Sequence, residues 1–130
     1  GDIISDLDYG SFYDKHVSQK SIFTISSFER DEQIDYGVLT VQKGFLEELR
    51  EKPSIKYEVS MGVYMLSSTV LDFIPKNEEF GFDQLMHNLI KNKEKVSVKK
   101  HKEYWLDIGR PSDYQMAIDD YDSKIKKDLL

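Results

Sequence analysis

The 130-residue chain contains no cysteine, only three prolines and a single tryptophan. Without cysteine it can have neither a disulfide framework nor a zinc site built from thiolates. No apolar run approaches the length that spans a bilayer, and the first residues lack the pattern of a signal peptide. We therefore expect a cytoplasmic domain that makes no membrane contact.

The chain also lacks a basic surplus, since 18 Lys and Arg residues stand against 24 Asp and Glu, a formal net charge of -6. A nucleic-acid-binding protein needs a basic face that displaces counterions from phosphates, so the composition argues against that class of partner. A small phosphorylated ligand is compatible with an acidic protein, because one lysine and a few backbone N–H groups can hold a phosphate.

What the chain does contain is an alternation of short strand patterns and helical patterns. Strands are predicted over 21–28, 36–41, 45–49, 59–66, 95–98 and 103–107. The run at 59–66 is nearly all apolar, which suits burial on both faces. Charged residues 29–33 are predicted to form a loop, and 42–44 a hairpin turn in which Gly44 takes a positive φ.

Helices are predicted from caps and from apolar spacing. Asp8, one of Ser67 and Ser68, and Pro111 are the expected start signals. The apolar stripes are Tyr9, Phe12, Tyr13, His16 and Val17; Val70, Leu71, Phe73 and Ile74; Phe82, Leu85, Met86, Leu89 and Ile90; and Tyr114, Ala117, Ile118 and Tyr121, of which the last set is predicted to face inward. The pattern predicts an α/β or α+β fold with a mixed sheet, flanking helices and at least one hairpin. No linker is visible, so residues 1–130 are predicted to form one domain.

Two aspartates are candidate metal ligands. Asp107 lies in the segment 105–111, Trp-Leu-Asp-Ile-Gly-Arg-Pro, at an expected strand end just before a helix. Its apolar neighbours predict that Asp107 is buried, and buried acids are rare unless paired or bound to metal, although Asp107 could instead cap a backbone amide. Asp2 follows Gly1, which is compatible either with a turn or with a ligand-binding strand end. If the two lie close together, their carboxylates and a polyphosphate would form the oxygen shell that Mg²⁺ prefers.

Other candidates are weaker when taken singly. Lys52, between Glu51 and Pro53 at an expected strand end, could neutralise a phosphate or be a solvated surface lysine. Gly37 and Gly62 interrupt strand patterns, which indicates either a bulge or the close approach of a ligand.

The three histidines, His16, His87 and His101, lack metal-ligand spacing. His16 and His87 are expected to be packing or surface residues. Neither a Ser/His/Asp order nor a phosphate-binding P-loop is present, so hydrolysis by a protein nucleophile has no support.

The order of these motifs carries more information than any one of them. Gly-Asp, a helix ending in His, Tyr-Gly-Val, Glu-Lys-Pro, Gly-Val-Tyr and Trp-Leu-Asp-Ile-Gly-Arg-Pro follow one another from residue 1 to about 121. In this order they resemble the C-terminal half of the sugar-1-phosphate nucleotidyltransferases, whose fold is Rossmann-like. The ending of the motif series is most similar to the mannose-1-phosphate and glucosamine-1-phosphate guanylyltransferase branch.

The resemblance implies roles for individual residues. Asp2 and Asp107 match the aspartates that hold Mg²⁺, Lys52 the lysine that binds the sugar phosphate, and Glu51 the residue on the sugar hydroxyls. Gly37 and Gly62 match glycines whose backbone lines the sugar site, with Trp105 packed beside it. The implied partners are an NTP and a sugar 1-phosphate. The implied reaction needs no protein nucleophile.

Two departures from the family pattern accompany the resemblance. Ser60-Met61 stands where many members have Asn-Ala, which bears on the identity of the sugar. The Gly-rich N-terminal signature that binds the NTP is absent, so the chain is expected to be the C-terminal part of a longer enzyme and inactive alone. A sheet cut there would expose an edge that could pair with another copy. The alternative is a non-catalytic sugar-phosphate-binding or oligomerisation domain that reuses the fold.

Overall fold

The computed structural model describes residues 2–109 and 111–121, without the side chain of residue 112. In chain order the described strands are β1 (Ile3–Ser5), β2 (Phe23–Gln33), β3 (Val38–Gln42), β4 (Phe45–Arg50), β5 (Ser54–Leu66), β6 (Val96–His101) and β7 (Trp105–Asp107). The described helices are α1 (Tyr9–Ser18), α2 (Phe82–Lys91) and α3 (Pro111–Asp120), with a 3₁₀ helix at Ser68–Phe73. Strands and helices are interleaved along the chain, which confirms the predicted α/β class.

Two compact units make up the chain. Unit 1 comprises Gly1–Phe28 and Ser60–Leu130, and unit 2 comprises Glu29–Val59. Residues 29–33 of β2 and 54–59 of β5 belong to unit 2, and the remaining residues of these two strands belong to unit 1. The single-domain organisation predicted for residues 1–130 stays a prediction.

A mixed sheet in the order β5-β2-β6 provides the framework of unit 1. β2 and β6 run parallel. The Ser67 N–H donates to the Ile22 carbonyl at 3.0 Å, and Ser26 Oγ donates to the Val63 carbonyl at 2.7 Å. Partners that advance along β2 therefore move back along β5, so this second pair is antiparallel. The sheet is mixed, as predicted.

The hydrophobic core of unit 1 is small. Phe23 of β2, Val70 of the 3₁₀ helix, and Leu85 and Leu89 of α2 pack together, and none is more than 7% exposed. The predicted stripe on α2 is confirmed for these two leucines. They cover one end of β2 and so hold the helix layer against the sheet.

The predicted apolar stripes are wider than the buried ones. Phe12, His16, Leu85, Leu89 and Ala117 are buried, whereas Tyr9, Tyr13, Val17, Leu71, Phe82, Ile90, Tyr114, Ile118 and Tyr121 are at least 42% exposed. The prediction that Tyr114, Ile118 and Tyr121 face inward is wrong. The reason is geometric: each short helix rests on one layer, so only a stripe about one side chain wide is covered.

β2 and β5 are both longer than predicted. β2 continues to Gln33, so the loop predicted at 29–33 is wrong, and β5 starts at Ser54 instead of residue 59. The charged end of β2 is held by pairing: Tyr57 donates to Glu32 Oε2 at 2.6 Å, and the Ile34 N–H donates to the Pro53 carbonyl at 3.0 Å. Cross-strand partners thus override local propensity.

Burial along β5 also differs from the prediction. Met61 is buried, whereas the other side chains of β5 are half-buried or exposed. The predicted burial of 59–66 on both faces is therefore wrong. In the described part of the chain, the sheet order leaves β5 with a strand neighbour on one side.

The hairpin of unit 2 agrees with its prediction. β3 and β4 are antiparallel, with Leu39 opposite Leu49. Lys43 and Gly44 form the turn with φ of 51° and 87°. Two consecutive positive φ values are the pattern of a two-residue type I′ turn, where glycine is favoured.

The helix starts follow their signals at all three positions. Asp8 Oδ1 accepts hydrogen bonds from the backbone N–H groups of Gly10 at 2.9 Å and Ser11 at 3.2 Å. These two hydrogen bonds lower the pKa of Asp8 below 3.8, and the bond from Ser11 has the larger effect. Pro111 begins α3. Ser67 occupies the N-cap position of the 3₁₀ helix, as predicted, but its hydroxyl donates to the Ser21 carbonyl at 3.1 Å and makes no capping hydrogen bond to the helix.

Within residues 2–109 and 111–121, no helix is both long enough and apolar enough to cross a bilayer.

Candidate functional site

The first and last strands of unit 1 bring the two candidate aspartates together. β1 pairs with β7 in antiparallel register, with Ile3 opposite Asp107. One step beyond this pair, the Ile108 N–H donates to the Asp2 carbonyl at 2.7 Å. Asp2 and Asp107 therefore lie at the same end of the ladder, although they come from opposite ends of the sequence.

Their carboxylates converge over Gly109. A Cβ placed on Gly109 would lie 3.2 Å from Asp107 Oδ1 and 3.4 Å from Asp2 Oδ2. The Gly109 N–H donates to Asp107 Oδ1 at 3.0 Å, so the amide-capping role considered for Asp107 is observed as well. Asp107 is exposed at the end of β7, so the burial inferred from its apolar neighbours is wrong.

This arrangement fits a magnesium ion. Mg²⁺ is commonly held by one or two carboxylates, with waters and substrate phosphates completing its shell. Asp2 and Asp107 supply two such carboxylates, both open to solvent, and a side chain at position 109 would intrude between them. In the described part of the chain, no third His, Asp or Glu joins these two carboxylates in a group that could hold a metal ion by itself.

A cleft of about 280 Å³ opens beside the two carboxylates. Besides Asp2 and Asp107 it is lined by Ser60, Gly62 and Tyr64 of β5 and by Trp105 of β7. Carboxylates, hydroxyls, backbone and an aromatic ring suit a small polar ligand with several hydroxyl groups.

Position 62 favours glycine for two reasons, its backbone conformation and the space around it. Its φ is +80°, and a Cβ there would lie 3.3 Å from Ile3 Cδ1. The adjacent Met61 carbonyl accepts the Trp105 Nε1–H at 3.3 Å, and the Trp105 ring lies 5.3 Å from that of Phe28. The interrupted strand pattern at Gly62 therefore does mark a special backbone conformation, located in the wall of the cleft.

Tyr64 is a cleft residue that the sequence analysis missed. Its ring stacks on Phe82 with centroids 4.7 Å apart, and its hydroxyl accepts a hydrogen bond from Ser60 Oγ at 3.2 Å. Ser60 Oγ also accepts the Gly62 N–H at 3.2 Å. The available signal was strand alternation, since residues 60, 62 and 64 point to one face.

Unit 2 contains the other candidates. A Cβ on Gly37 would lie 3.1 Å from Glu51 Oε2, so Gly37 and Glu51 are neighbours. Gly37 precedes β3 and does not interrupt it, because the strand starts at Val38. Lys52 has a φ of 42° and is followed by Pro53. Residues before proline favour extended backbone, so a left-handed lysine there is strained.

The histidines have the structural character expected of them. His16 is buried, with Nδ1 2.8 Å from Thr24 Oγ1 and Nε2 3.0 Å from Ser67 Oγ. His87 is exposed on α2. His101 is buried and lies outside the cleft lining.

Near β7, burial raises the pKa of the Tyr104 hydroxyl above 10.0, and the Asp120 carboxylate raises it further. Tyr104 therefore stays protonated and neutral at physiological pH. It precedes β7, the strand that ends at Asp107.

Two curated relatives and one solved structure illustrate what this chain is similar to. A probable mannose-1-phosphate guanylyltransferase of Oryza sativa subsp. japonica is 27% identical over 97% of this chain, which covers 36% of its length. The glucose-1-phosphate adenylyltransferase of Bacillus subtilis is 31% identical over 84% of this chain, which covers 32% of its length. The crystal structure of HddC from Yersinia pseudotuberculosis, complexed with GMP-PN, is 26% identical with a TM-score of 0.62, over 92% of this chain and 52% of HddC.

The chain thus spans about a third of the length of these curated relatives, all of which are sugar-1-phosphate nucleotidyltransferases by name. The sequence profile described as nucleotidyl transferase matches residues 1–124. The resemblance inferred from the order of the motifs is confirmed, and this chain belongs to the nucleotidyl transferase family.

Proposed function

We propose that the chain is part of an enzyme that transfers a nucleotidyl group from an NTP to a hexose 1-phosphate, giving an NDP-sugar and pyrophosphate. The observation that carries this proposal is the convergence of Asp2 and Asp107 over Gly109 at the edge of the cleft. The two named relatives act on sugar 1-phosphates, which supports the same substrate class.

In this reaction a phosphate oxygen of the sugar 1-phosphate attacks the α-phosphorus of the NTP. The bond from that phosphorus to the bridging oxygen breaks, and pyrophosphate leaves with the electron pair. No protein nucleophile is needed, because positioning and charge neutralisation lower the barrier. A Mg²⁺ ion held by Asp2 and Asp107 would neutralise charge on the reacting phosphates.

The cleft of unit 1 is proposed to bind the sugar. The backbone of Gly62 can approach a ring closely because no Cβ intervenes, and Trp105 would pack against the ring's apolar face. Ser60 offers a hydroxyl on the same wall. Because Ser60-Met61 departs from the usual Asn-Ala, we propose that this wall helps to select the sugar.

In unit 2, Lys52 is proposed to bind the phosphate of the sugar 1-phosphate, Glu51 the sugar hydroxyls, and Gly37 to contribute backbone contacts. Lys52 is exposed and directly follows Glu51, which lies beside Gly37, so the three residues proposed for this role are close together. The nucleotidyl group is proposed to be of the guanylyl or thymidylyl type, the former from the similarity of 104–111 to the guanylyltransferase branch and from the rice relative. A cytoplasmic location stays a prediction.

Replacing Lys52 by glycine tests the proposed contact with the sugar phosphate without lowering the stability of the fold. We expect affinity for mannose 1-phosphate with Mg²⁺, measured by calorimetric titration, to fall about tenfold to a hundredfold, because a charge-assisted contact is lost. The free energy of unfolding should rise or stay the same, since glycine relieves about 1 kcal/mol or more of backbone strain.

Lys43→Gly is the matched control, because Lys43 is also an exposed lysine of unit 2 with a positive φ. It should leave the titration unchanged. Equal losses in the two variants would refute a specific role for Lys52, and binding of inorganic phosphate as tight as that of mannose 1-phosphate would argue against sugar recognition.

Alone, the 130-residue chain is proposed to be inactive, because its sequence contains no Gly-rich segment with Arg and Lys of the NTP-binding type. We also propose that the outer edge of β5 pairs with a second copy. Incubation with GTP, mannose 1-phosphate and Mg²⁺ should give no GDP-mannose, and light scattering should detect dimers. Product formation would contradict the first proposal, and a strictly monomeric mass the second. Sugar-phosphate binding without turnover, even when an NTP-binding segment is supplied as a separate chain, would favour the non-catalytic alternative.

A further inference from the structure

The ladder that carries Asp2 and Asp107 is short and has no turn to set its register. β1 and β7 share three residue pairs and come from opposite ends of the chain. Isolated two-stranded ladders are marginally stable, and a slip of one residue turns every side chain to the other face. Such a slip would move Asp107 away from Asp2, so some other contact has to hold the register.

The opposite end of this ladder is held by a buried histidine. His101 Nε2 lies 2.7 Å from Asp6 Oδ1 and 3.2 Å from the Tyr104 carbonyl. Asp6 follows β1, and Tyr104 precedes β7. The Tyr104 N–H donates to the same Asp6 Oδ1 at 2.9 Å, and the Asp6 N–H donates to the Tyr104 carbonyl at 3.3 Å.

The chemistry of these contacts identifies the donor. Both partners of His101 Nε2 are acceptors, a carboxylate and a carbonyl, so Nε2 carries the proton. His101 is 7% exposed, and a hydrogen bond to a carboxylate is strong in such surroundings. His101 is also the last residue of β6, where it lies opposite Phe28 of β2. The imidazole therefore joins the end of the ladder to the main sheet.

The contacts that Trp105 and Ile3 make with β5 do not define the register of the ladder in this way. Trp105 bonds to the Met61 carbonyl, and Ile3 packs beside Gly62. These contacts hold the ladder against β5 near its middle. The Asp6 and Tyr104 contacts instead join atoms of the two chain segments directly and are shared with one side chain.

We propose that His101 and Asp6 are positioning residues that fix the register of β1 against β7 and thereby bring the carboxylates of Asp2 and Asp107 together. The metal-binding consequence rests on the proposed function, whereas the register itself does not. His101 and Asp6 touch neither carboxylate and act only through the ladder.

The first measurement is amide hydrogen exchange by NMR on the whole chain. His101→Phe keeps a ring but removes the donor, and we expect the Ile108 N–H to exchange about tenfold faster, as for the loss of one hydrogen bond to a charged group. His101→Gln places an amide donor near the position of Nε2 and should restore protection. His87→Phe, the same change at an exposed histidine, should have no effect.

The second measurement is paramagnetic broadening of the Gly109 amide signal by Mn²⁺. His101→Phe should need about tenfold more Mn²⁺ for the same broadening, the lower limit of what outer-shell changes cost metal sites. His101→Gln should again resemble the unsubstituted chain. A contact that only stabilised the fold would lower the unfolding midpoint without this selective change.

Unchanged Ile108 exchange in a folded His101→Phe variant would overturn the proposal. If His101→Phe also loses protection in β2 and β6, the whole fold is weakened and Asp6→Ala is used instead, because it removes the acceptor of the same contact. Unchanged Ile108 exchange in a folded Asp6→Ala variant would overturn the proposal in the same way. If the unsubstituted chain shows no Mn²⁺ response, the proposed metal site fails, while the exchange measurement still tests the register.

Discussion

Replacing Asp107 by asparagine is expected to abolish the broadening that Mn²⁺ causes in the amide signals of Gly109 and Ile3. Asparagine keeps an oxygen that can accept the Gly109 N–H, so the local backbone should be preserved. What is lost is one of two negative charges facing the space over Gly109. Loss of a direct ligand should cost more than the about 10–100-fold that changes around a ligand cost, which takes binding out of the measurable range.

The matched control is Asp14→Asn, because Asp14 is an exposed aspartate on α1 outside the cleft. Its Mn²⁺ response should equal that of the unsubstituted chain. Asp2→Asn should reproduce the loss. A response that persists in both Asp2→Asn and Asp107→Asn would show that the ion binds elsewhere, and the proposed role of the pair would fail.

The second large effect concerns the core. Phe23→Ala is expected to lower the free energy of unfolding of unit 1 by about 3–5 kcal/mol. Phe23 is 1% exposed, and its ring lies 5.6 Å from that of Tyr64 and 6.0 Å from that of Phe82. Since small domains are stable by about 5–15 kcal/mol, this single truncation removes a large share of the total. Tyr64 also lines the cleft, so the cavity should loosen one wall of the site.

Urea denaturation followed by circular dichroism measures this loss. Phe45→Ala is the control, because the same truncation at a side chain that is 79% exposed should change stability by no more than about 0.5 kcal/mol. Similar losses in the two variants would mean that the aromatic cluster around Phe23 is not the centre of the core.

Features that depend on neighbours in sequence were predictable. The hairpin turn at 42–44 follows from the conformational freedom of Gly44, the start of α1 from the Asp8 carboxylate, and the start of α3 from Pro111. These signals act within a few residues, so the amino acids themselves specify the outcome. Strand ends and burial were less predictable, because pairing with β5 holds the charged segment 29–33 extended and single-layer packing leaves much of each helix exposed.

By itself, the sequence determined the α/β class, the family, and which acids, glycines and lysine are candidate site residues. Motif order is a property of the linear sequence, and local backbone preferences depend only on residues that are near one another in it. Only the tertiary structure decided that Asp2 and Asp107 meet over Gly109 and that Tyr64 and Ser60 line the same cleft. It also decided that His101 contacts Asp6 at the opposite end of the β1–β7 ladder. The physical reason is distance along the chain. β1 and β7 are separated by almost the entire sequence, and their register is a property of the contacts that form when the chain has folded.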